Sequence, residues 1–366
     1  MDARVVYPMI VASGSIFAFS ASLMQCAALL AFPVICSVET RKHIPVIVTV
    51  FYASMCLPII WVIHSYSGSL FAGLAQFAGL VLLNSVVVGI SLWQRVLPRY
   101  VSLPIALIML SLPPFSYINP VSLLPLSGWI FPSMGDAGIV FMLILVGLST
   151  TAKRWGVPAY AAIMALAIPI GNSYAIPDVN SVSGVSISRP HDPQLSMKLM
   201  RRAYRFEELD LVASADTETV ILPESVFGVW EQSDGDILSQ SGRTIYGGSR
   251  RYVSQNQYQN VIVNAKTGNV VYIQRNVPYL LHKRTARAVS GLSTLSRSGI
   301  SFLICYELLN PILARQAFSS MGKDVAWVSN LSWFNHNYLG VRMESVAVAW
   351  SRLYSSSYES AVLKHD

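Results

Sequence analysis

The stretch "SGISFLICYELLNPILARQ", residues 298–316, decides the fold of the second half of the chain. It begins with an apolar run typical of a buried strand, and polar residues follow directly after Cys305. The segment from Pro311 onward has a helical pattern. Strands separated by helices are typical of α/β folds, in which functional groups lie at the ends of strands. The position of Cys305 therefore raises the question whether its thiol packs in the core or reacts.

Four other segments of the second half have strand patterns. A short apolar strand, "TVIL", leads into a turn at Pro223-Glu224-Ser225, and a longer one, "RTIYGGSRR", contains a glycine pair. The sequence "YQNVIVNAKTGNVVYIQRNVP", residues 258–278, alternates on both arms and predicts a β-hairpin with "AKTG" as its turn. A further buried strand is expected in "KDVAWVSNLSWF", residues 323–334. Together these patterns predict a sheet-containing α/β domain.

The distribution of charge divides the chain. Of the 366 residues, 53% are hydrophobic and 12% charged, and the mean hydropathy is +0.48, which is typical of membrane proteins. Residues 1–177 hold only ten of the 45 Asp, Glu, Lys and Arg side chains. We therefore predict a polytopic α-helical membrane bundle at 1–177, with six to eight segments, followed by a globular domain at 178–366.

Uncharged windows define the expected membrane spans. Residues 44–94 are long enough for two helices, with a break at "HSYSGS", residues 64–69. The proline-rich stretch after residue 100 predicts a helix at 101–116 and a broken or re-entrant piece around 120–133. The remaining expected segments are helices at 136–152 and 156–175, and an opening run at 5–38 that is one long helix or a hairpin of two short ones.

Short basic loops predict the orientation in the membrane. "ETRKH", "QRVLPR" and "AKRW" all fall on one side of the alternating spans, which the positive-inside rule assigns to the cytoplasm. The last helix then delivers the second half to the opposite face, which is the periplasm if the source is Gram-negative. We therefore expect a multi-pass protein of the bacterial inner membrane. The multispan region favours a retained first helix over a cleaved signal peptide.

Several classes of function are not expected. The net charge of +7 is divided between the two halves, without clustered Lys and Arg among aromatics, so direct nucleic-acid binding is not predicted. We recognise no His, Cys or acidic spacing typical of a metal site, and no cofactor is expected. Cys305 is the only cysteine of the second half, which excludes a disulfide framework there.

Glu224 and Cys305 form the candidate reactive pair, because each directly follows an apolar strand. A thiolate attacks carbonyl carbon but needs a base to remove its proton, and a neighbouring carboxylate would serve, with a cation to stabilise the oxyanion. Each signal is weak alone, since a lone strand Cys is commonly a packing residue and a Glu after "LP" can cap a helix. A pairing of Cys305 with His282 or His336 is a further alternative.

The motifs "VILPES", "YGGS", the hairpin, "LICYE" and "SNLSWF" occur in the order used by the nitrilase (carbon–nitrogen hydrolase) superfamily, which the second half resembles. With the membrane bundle before it, the chain resembles apolipoprotein N-acyltransferases. "ICYELLNPIL" and "AVAWSRLY" look closer still to TraB-type conjugal transfer proteins. The resemblance implies an α-β-β-α sandwich and a Glu–Lys–Cys triad, with Glu224 as general base and Cys305 as nucleophile.

The lysine of that triad does not map onto this sequence. In "YIQRNVP", Gln274 takes the lysine position and Arg275 follows it, so Arg275, or else Lys283 in "LLHKRT", is the candidate cation. The plain alternatives are an ion-paired arginine and a solvated lysine. The sequence also ends before the acyltransferases do, so we expect either a naturally shorter subfamily or a truncated sequence. The resemblance implies a substrate site lined by Tyr306, Glu307, Trp333, Phe334 and Gln274.

Three hypotheses for function follow. The favoured one is an acyltransferase that takes a lipid acyl group onto Cys305 as a thioester and passes it to an amine, with membrane phospholipid as donor and a lipoprotein or amine as acceptor. The second, motivated by the missing lysine, is a weak or inactive relative that serves the conjugation machinery as an envelope partner. The third is a membrane-anchored amidase or nitrilase.

Overall fold

The computed structural model describes residues 3–20, 22–38, 41–151, 173–178, 181–189, 211–254, 257–276, 299–320, 324–332, 334 and 338–365. The chain divides into two compact units. Unit 1 consists of Met1–Ile176, Leu309–Ile312 and Val341–Ser355. Unit 2 consists of Pro177–Leu308, Leu313–Gly340 and Ser356–Asp366.

Unit 1 is helical in its described residues. Short 3₁₀ segments at Ser22–Leu30 and Leu124–Leu126 interrupt the α-helices, and much of the unit shares one apolar core. The predicted helix at 156–175 lies largely outside the described residues. The described α-helices before residue 176 are α1 (Ala3–Phe19), α2 (Ala31–Cys36), α3 (Ile44–Cys56), α4 (Ile59–Ser67), α5 (Leu70–Trp93), α6 (Arg99–Ser111), α7 (Ser127–Ile130) and α8 (Gly135–Ser149).

One helix of the described residues, α5, is long and apolar enough to cross a membrane. The number rises to three if each of two bent pairs counts as one span: Arg41–Cys56 with Ile59–Ser67, bent by 46°, and Leu124–Ile130 with Gly135–Ser149, bent by 100°. The expected bundle of six to eight membrane segments remains a prediction.

Helix ends in unit 1 follow the local sequence. The expected break at 64–69 is present: Gly68 adopts a left-handed φ of 68°, and the Ser69 hydroxyl accepts from the Ala72 N–H at 3.2 Å to cap α5. The prediction of a helix through residue 116 is wrong, because α6 ends at Ser111. Pro113 and Pro114 follow it, and neither has an N–H to continue the helical hydrogen bonds.

The described strands of unit 2 form two sheets. The first has the order β1-β3-β4-β5-β6 and is parallel from β1 to β4, then antiparallel through the β5–β6 hairpin. The second has the order β2-β9-β8-β7 and is parallel throughout. The strands are β1 (Val182–Gly184), β2 (Ile187–Arg189), β3 (Thr219–Ile221), β4 (Thr244–Ser254), β5 (Gln257–Asn264), β6 (Val270–Ile273), β7 (Ser301–Ile304), β8 (Val325–Asn330) and β9 (Tyr358–His365).

The two sheets share an apolar core within unit 2. Tyr246 and Tyr272 of the first sheet pack on Phe302 of the second, with ring centroids 5.6 and 6.4 Å apart. The described helices of the second half include α9 (Gln232–Leu238), α10 (Pro311–Phe318) and α11 (Tyr338–Tyr354). The predicted combination of helices and sheet in the second half is confirmed.

The β5–β6 hairpin has the turn that its sequence indicates. Gly268 has a φ of +69° and donates its N–H to the Asn264 carbonyl at 2.8 Å. The Asn264 side chain accepts from the N–H groups of Lys266 and Thr267 at 3.1 and 3.2 Å. A side-chain oxygen that replaces strand partners in this way is a common function of Asn in turns. The hairpin fixes the register of β5 and β6, which carry part of the candidate site.

Most of helix α11 belongs to unit 1, although the sequence suggests a globular domain that continues from 178 to 366. Ala349 is part of the apolar core of the helical unit. A Cβ added to Gly128 of α7 would lie 1.7 Å from the Ala349 carbonyl oxygen, so the backbones of α7 and α11 meet where only glycine fits.

Candidate active site

Glu224 is fixed by a turn that leaves β3 and binds β4. The Gly248 N–H donates to the Pro223 carbonyl at 3.1 Å, and the Phe227 N–H donates to the Gly248 carbonyl at 3.1 Å. A Cβ on Gly248 would lie 2.4 Å from the Cα of Glu224, so glycine is required for this approach. The "YGG" of β4 therefore determines how close the Glu224 turn comes to the sheet.

The Glu224 carboxylate is buried and receives hydrogen bonds on both oxygens. Oε1 accepts from Nδ2 of Asn260 at 2.9 Å, and Oε2 accepts from the N–H of Asn330 at 3.0 Å. Burial raises the pKa of Glu224 to about 7, while the Asn330 N–H and the positive charge of Arg250 act in the opposite direction. Near neutral pH the carboxyl group is thus poised between its two protonation states, as a general base requires.

Cys305 lies directly after β7 in a left-handed backbone conformation, with a φ of +49°. A non-glycine residue in this region costs about 1–3 kcal/mol and is concentrated at functional sites. Cys305 is half-buried, and its thiol lies close enough to Glu224 for each group to act on the pKa of the other. Burial, and then the negative charge of Glu224, raise the pKa of Cys305 above its ordinary value. The pair therefore rests as a thiol beside a carboxylate that can take its proton.

Glu307 holds the turn that carries Cys305. Oε2 accepts from the Ile304 N–H at 2.8 Å and the Tyr272 hydroxyl at 2.9 Å, and Oε1 accepts from the N–H groups of Arg275 and Asn276 at 2.5 and 3.1 Å. Burial raises the pKa of Glu307 to about 7, and these donors oppose that effect. The carboxylate thereby ties the residue before Cys305 to the end of β6.

Gln274 occupies the position where the resemblance implies lysine, and it is a buried, neutral part of the site. Its Oε1 accepts from Nδ2 of Asn260 at 2.8 Å, and its Nε2 donates to the Ile304 carbonyl at 3.2 Å. Asn260 thus connects Gln274 to Glu224. Sequence reasoning identified Gln274 but missed Asn260, although alternation along β5 places Asn260 on the same sheet face as Ile262.

Arg250 is a second residue that sequence reasoning missed. It lies opposite Asn260 in the β4–β5 register, and its N–H donates to the Gly228 carbonyl at 2.6 Å. Its guanidinium carbon lies 4.8 Å from the centroid of the Tyr258 ring. The period of two along β4, with Tyr246 and Gly248 on the same face, is the signal that could have found it.

The other predicted site residues are placed as follows. Arg275 donates its backbone N–H to Glu307, and its Nη1 donates to Oε1 of Gln316 at 3.2 Å on the exposed side. Tyr306 is half-buried beside Cys305, and Phe334 is buried. Within the described ranges, no group of three or more His, Cys, Asp or Glu could hold a metal ion. The remaining candidates, Lys283, Trp333, His282 and His336, lie outside the described residues.

The chain is similar to known proteins at the level of solved structures. No family model matches the chain, and no curated protein matches it. Among solved structures, it is similar to a mutant of the amidase from Nesterenkonia sp. AN1 that shows Michael addition of acrylamide at the active site cysteine, with 14% identity, 50% of this chain and 77% of that chain covered, and a TM-score of 0.34.

A cysteine-to-serine mutant of the Nesterenkonia AN1 amidase, described as belonging to the nitrilase superfamily, has 16% identity, covers 50% of this chain and 75% of that chain, and has a TM-score of 0.34. The structural neighbours are thus nitrilase-superfamily amidases. At this level of similarity they carry no inference about the chemistry of the chain.

Proposed function

We propose that the chain is a membrane-associated thiol acyltransferase of the nitrilase type, with Cys305 as nucleophile and Glu224 as general base. The observation that supports this function best is the Cys305 thiol beside a buried Glu224 whose pKa is about 7. Cys305 also has a left-handed backbone conformation, and a carboxyl group of raised pKa beside a thiol held in this way is typical of a functional site.

The proposed reaction has two balanced steps. The Cys305 sulfur attacks the carbonyl carbon of an acyl ester while its proton passes to Glu224. The carbon–oxygen bond to the donor breaks, and Glu224 returns the proton to the leaving oxygen. An acceptor amine then attacks the thioester and gives a proton to Glu224, and the departing sulfur takes that proton back. Because Glu224 must be ionised to begin, acylation should become faster as the pH rises through about 7.

The proposal includes the acyl donor and the cellular location of the protein. The apolar first half and the sequence resemblance support membrane phospholipid as acyl donor and a lipoprotein or another amine as acceptor. The basic loops support a bacterial inner-membrane protein whose second half is periplasmic. The motifs "ICYELLNPIL" and "AVAWSRLY" support a role in plasmid conjugal transfer.

Acyl labelling of the purified full chain tests the enzyme proposal. The chain is incubated in detergent with a phospholipid that bears an alkyne-tagged acyl chain, and hydroxylamine-sensitive label is mapped by mass spectrometry. We expect label on Cys305, none in Cys305→Ala, and at least a 100-fold slower reaction in Glu224→Gln, because a positioned base contributes about 10²–10⁴-fold. Absence of label with all phospholipid headgroups and with simple activated esters would contradict the proposal.

A second function, that of an inactive envelope partner in conjugation, is favoured by the neutral Gln274 at the expected lysine position. The frequency of conjugation measured with the variant Cys305→Ser distinguishes an acyltransferase from an inactive partner. An acyltransferase loses transfer to the level of a deletion, whereas a partner protein keeps transfer at the wild-type level. Release of free fatty acid in place of acylated amine would indicate the amidase-type alternative.

A further inference from the structure

We propose that Arg250 is the cation of this active site and acts as a positioning residue that keeps Glu224 ionised for the removal of the Cys305 proton. The inference rests on the proposed function. It assigns to Arg250 the positive charge that a lysine would supply in the triad implied by the resemblance.

The strand pairing brings Arg250 to Glu224. The turn that carries Glu224 is hydrogen bonded to β4 at Gly248, and again two residues later, where the Arg250 N–H donates to Gly228. Gly248 and Arg250 are two residues apart and therefore share a face of β4, the face on which Glu224 packs. Arg250 also lies opposite Asn260, whose side chain binds Glu224 at 2.9 Å. Two connections thus bring residue 250 to the Glu224 turn and to the Asn260 side chain that binds its carboxylate.

The Arg250 side chain contacts an aromatic ring, and one of its donors is unused within the described residues. Its guanidinium carbon lies 4.8 Å from the centroid of the Tyr258 ring, a cation–π contact that does not use its N–H donors. Its Nε is buried and has no hydrogen-bond partner in the described part of the chain. A buried N–H of this kind costs free energy unless an anion or a ligand uses it. A cation with an unused donor is suited to act on a neighbouring carboxylate.

The positive charge of Arg250 offsets neighbouring effects that favour the protonated form of Glu224. Among the described residues, the titratable groups that act on Glu224 are the Cys305 thiol, the Glu307 carboxyl and Arg250, and of these Arg250 brings positive charge. Gln274 is neutral, and the Arg275 guanidinium binds Gln316. Without Arg250, burial and Glu307 would both favour the protonated form of Glu224, which cannot accept a proton from sulfur.

The test is the pH profile of Cys305 acylation. p-Nitrophenyl acetate serves as the probe for the full chain in detergent between pH 5.5 and 9, and release of p-nitrophenolate is corrected with Cys305→Ala. We expect wild-type acylation to rise with a midpoint near pH 7. Arg250→Gln should move the midpoint up by about one unit, because a nearby opposite charge lowers a carboxyl pKa by 1–3 units. Acylation then slows about fivefold at pH 7 and approaches the wild-type rate at pH 9.

Two variants control for charge and structure. Arg250→Lys keeps the charge and should keep the wild-type midpoint within about half a unit. Arg251→Gln removes an equal charge from the next residue of β4, whose side chain binds Gln259 at 2.6 Å on the other face, and should leave the midpoint unchanged. Arg250→Met replaces Arg250→Gln if the glutamine variant does not give a folded protein.

The outcomes separate the inference from the proposed function. If wild-type protein acylates and the neutral Arg250 variant has the same midpoint, the role of Arg250 is wrong and the thiol mechanism stands. An equal shift in Arg251→Gln would also overturn it, since any surface charge would then suffice. If wild-type protein acylates at no pH, the proposed function itself has failed.

Discussion

At the scale of single residues, Glu307 accepts hydrogen bonds from four donors with two oxygens. A glutamine at this position would present an NH₂ group on one side, where at least one buried backbone N–H would lose its acceptor. Each such loss costs about 1–3 kcal/mol. The carboxylate is thus required for its acceptors rather than for its charge alone.

We therefore expect Glu307→Gln to lower the free energy of unfolding by about 1–3 kcal/mol. Tyr272→Phe, which removes one donor to the same carboxylate, should cost about 1 kcal/mol and serves as the matched comparison. Thermal unfolding of the full chain, followed by tryptophan fluorescence, measures both. Equal stability of Glu307→Gln and wild type would show that the four bonds do not support the turn at Cys305.

At the scale of elements, β4 and the Glu224 turn depend on a close backbone approach. A Cβ on Gly248 would lie 2.4 Å from the Cα of Glu224 and 2.6 Å from the N of Ser225. These atoms are backbone and cannot yield by a change of rotamer. The strand and the turn can therefore keep their hydrogen bonds only if residue 248 has no side chain.

Gly248→Ala should for this reason destabilise the protein by about 1–3 kcal/mol and abolish acylation of Cys305, because Glu224 is displaced. Gly79→Ala in α5 is the control, since a Cβ there meets no atom within 4 Å, and it should be neutral or slightly stabilising. Thermal unfolding and p-nitrophenyl acetate acylation measure the two effects. Retained acylation in Gly248→Ala would contradict the described turn geometry.

Sequence patterns predict individual strands and the residues at their ends better than they predict which residues of different strands lie side by side. Glu224 and Cys305 were found because each ends an apolar run, which is a local signal. Arg250 and Asn260 were missed because they come together through the β4–β5 register, which depends on pairing across strands. The end of α6 was misplaced because hydropathy was weighed above the prolines that follow Ser111.

At the scale of the whole molecule, the chain is not two successive domains. Residues 341–355 belong with the helical unit, where Ala349, Trp350 and Leu353 are buried. No local pattern distinguishes this helix from one that packs on a sheet, so a boundary near residue 177 was all that composition could suggest.

The fragment 178–366 should consequently not behave as an independent domain. Without residues 1–177, the α11 surface that packs on α7 at Gly128 is uncovered. We expect the fragment to aggregate in size-exclusion chromatography, whereas the full chain in detergent elutes as a single species. A monodisperse, cooperatively unfolding fragment would contradict this expectation.

Each unit is built from separate segments of the chain, and this determines when each unit can be completed during translation. A ribosome makes the chain from its N-terminus, and the last piece of the helical unit is complete only when residue 355 of 366 has been added. The backbone of Gly128 cannot pack on Ala349 until then, because Ala349 is synthesised 221 residues later. The helical unit therefore stays incomplete while almost all of the sheet-containing unit is translated.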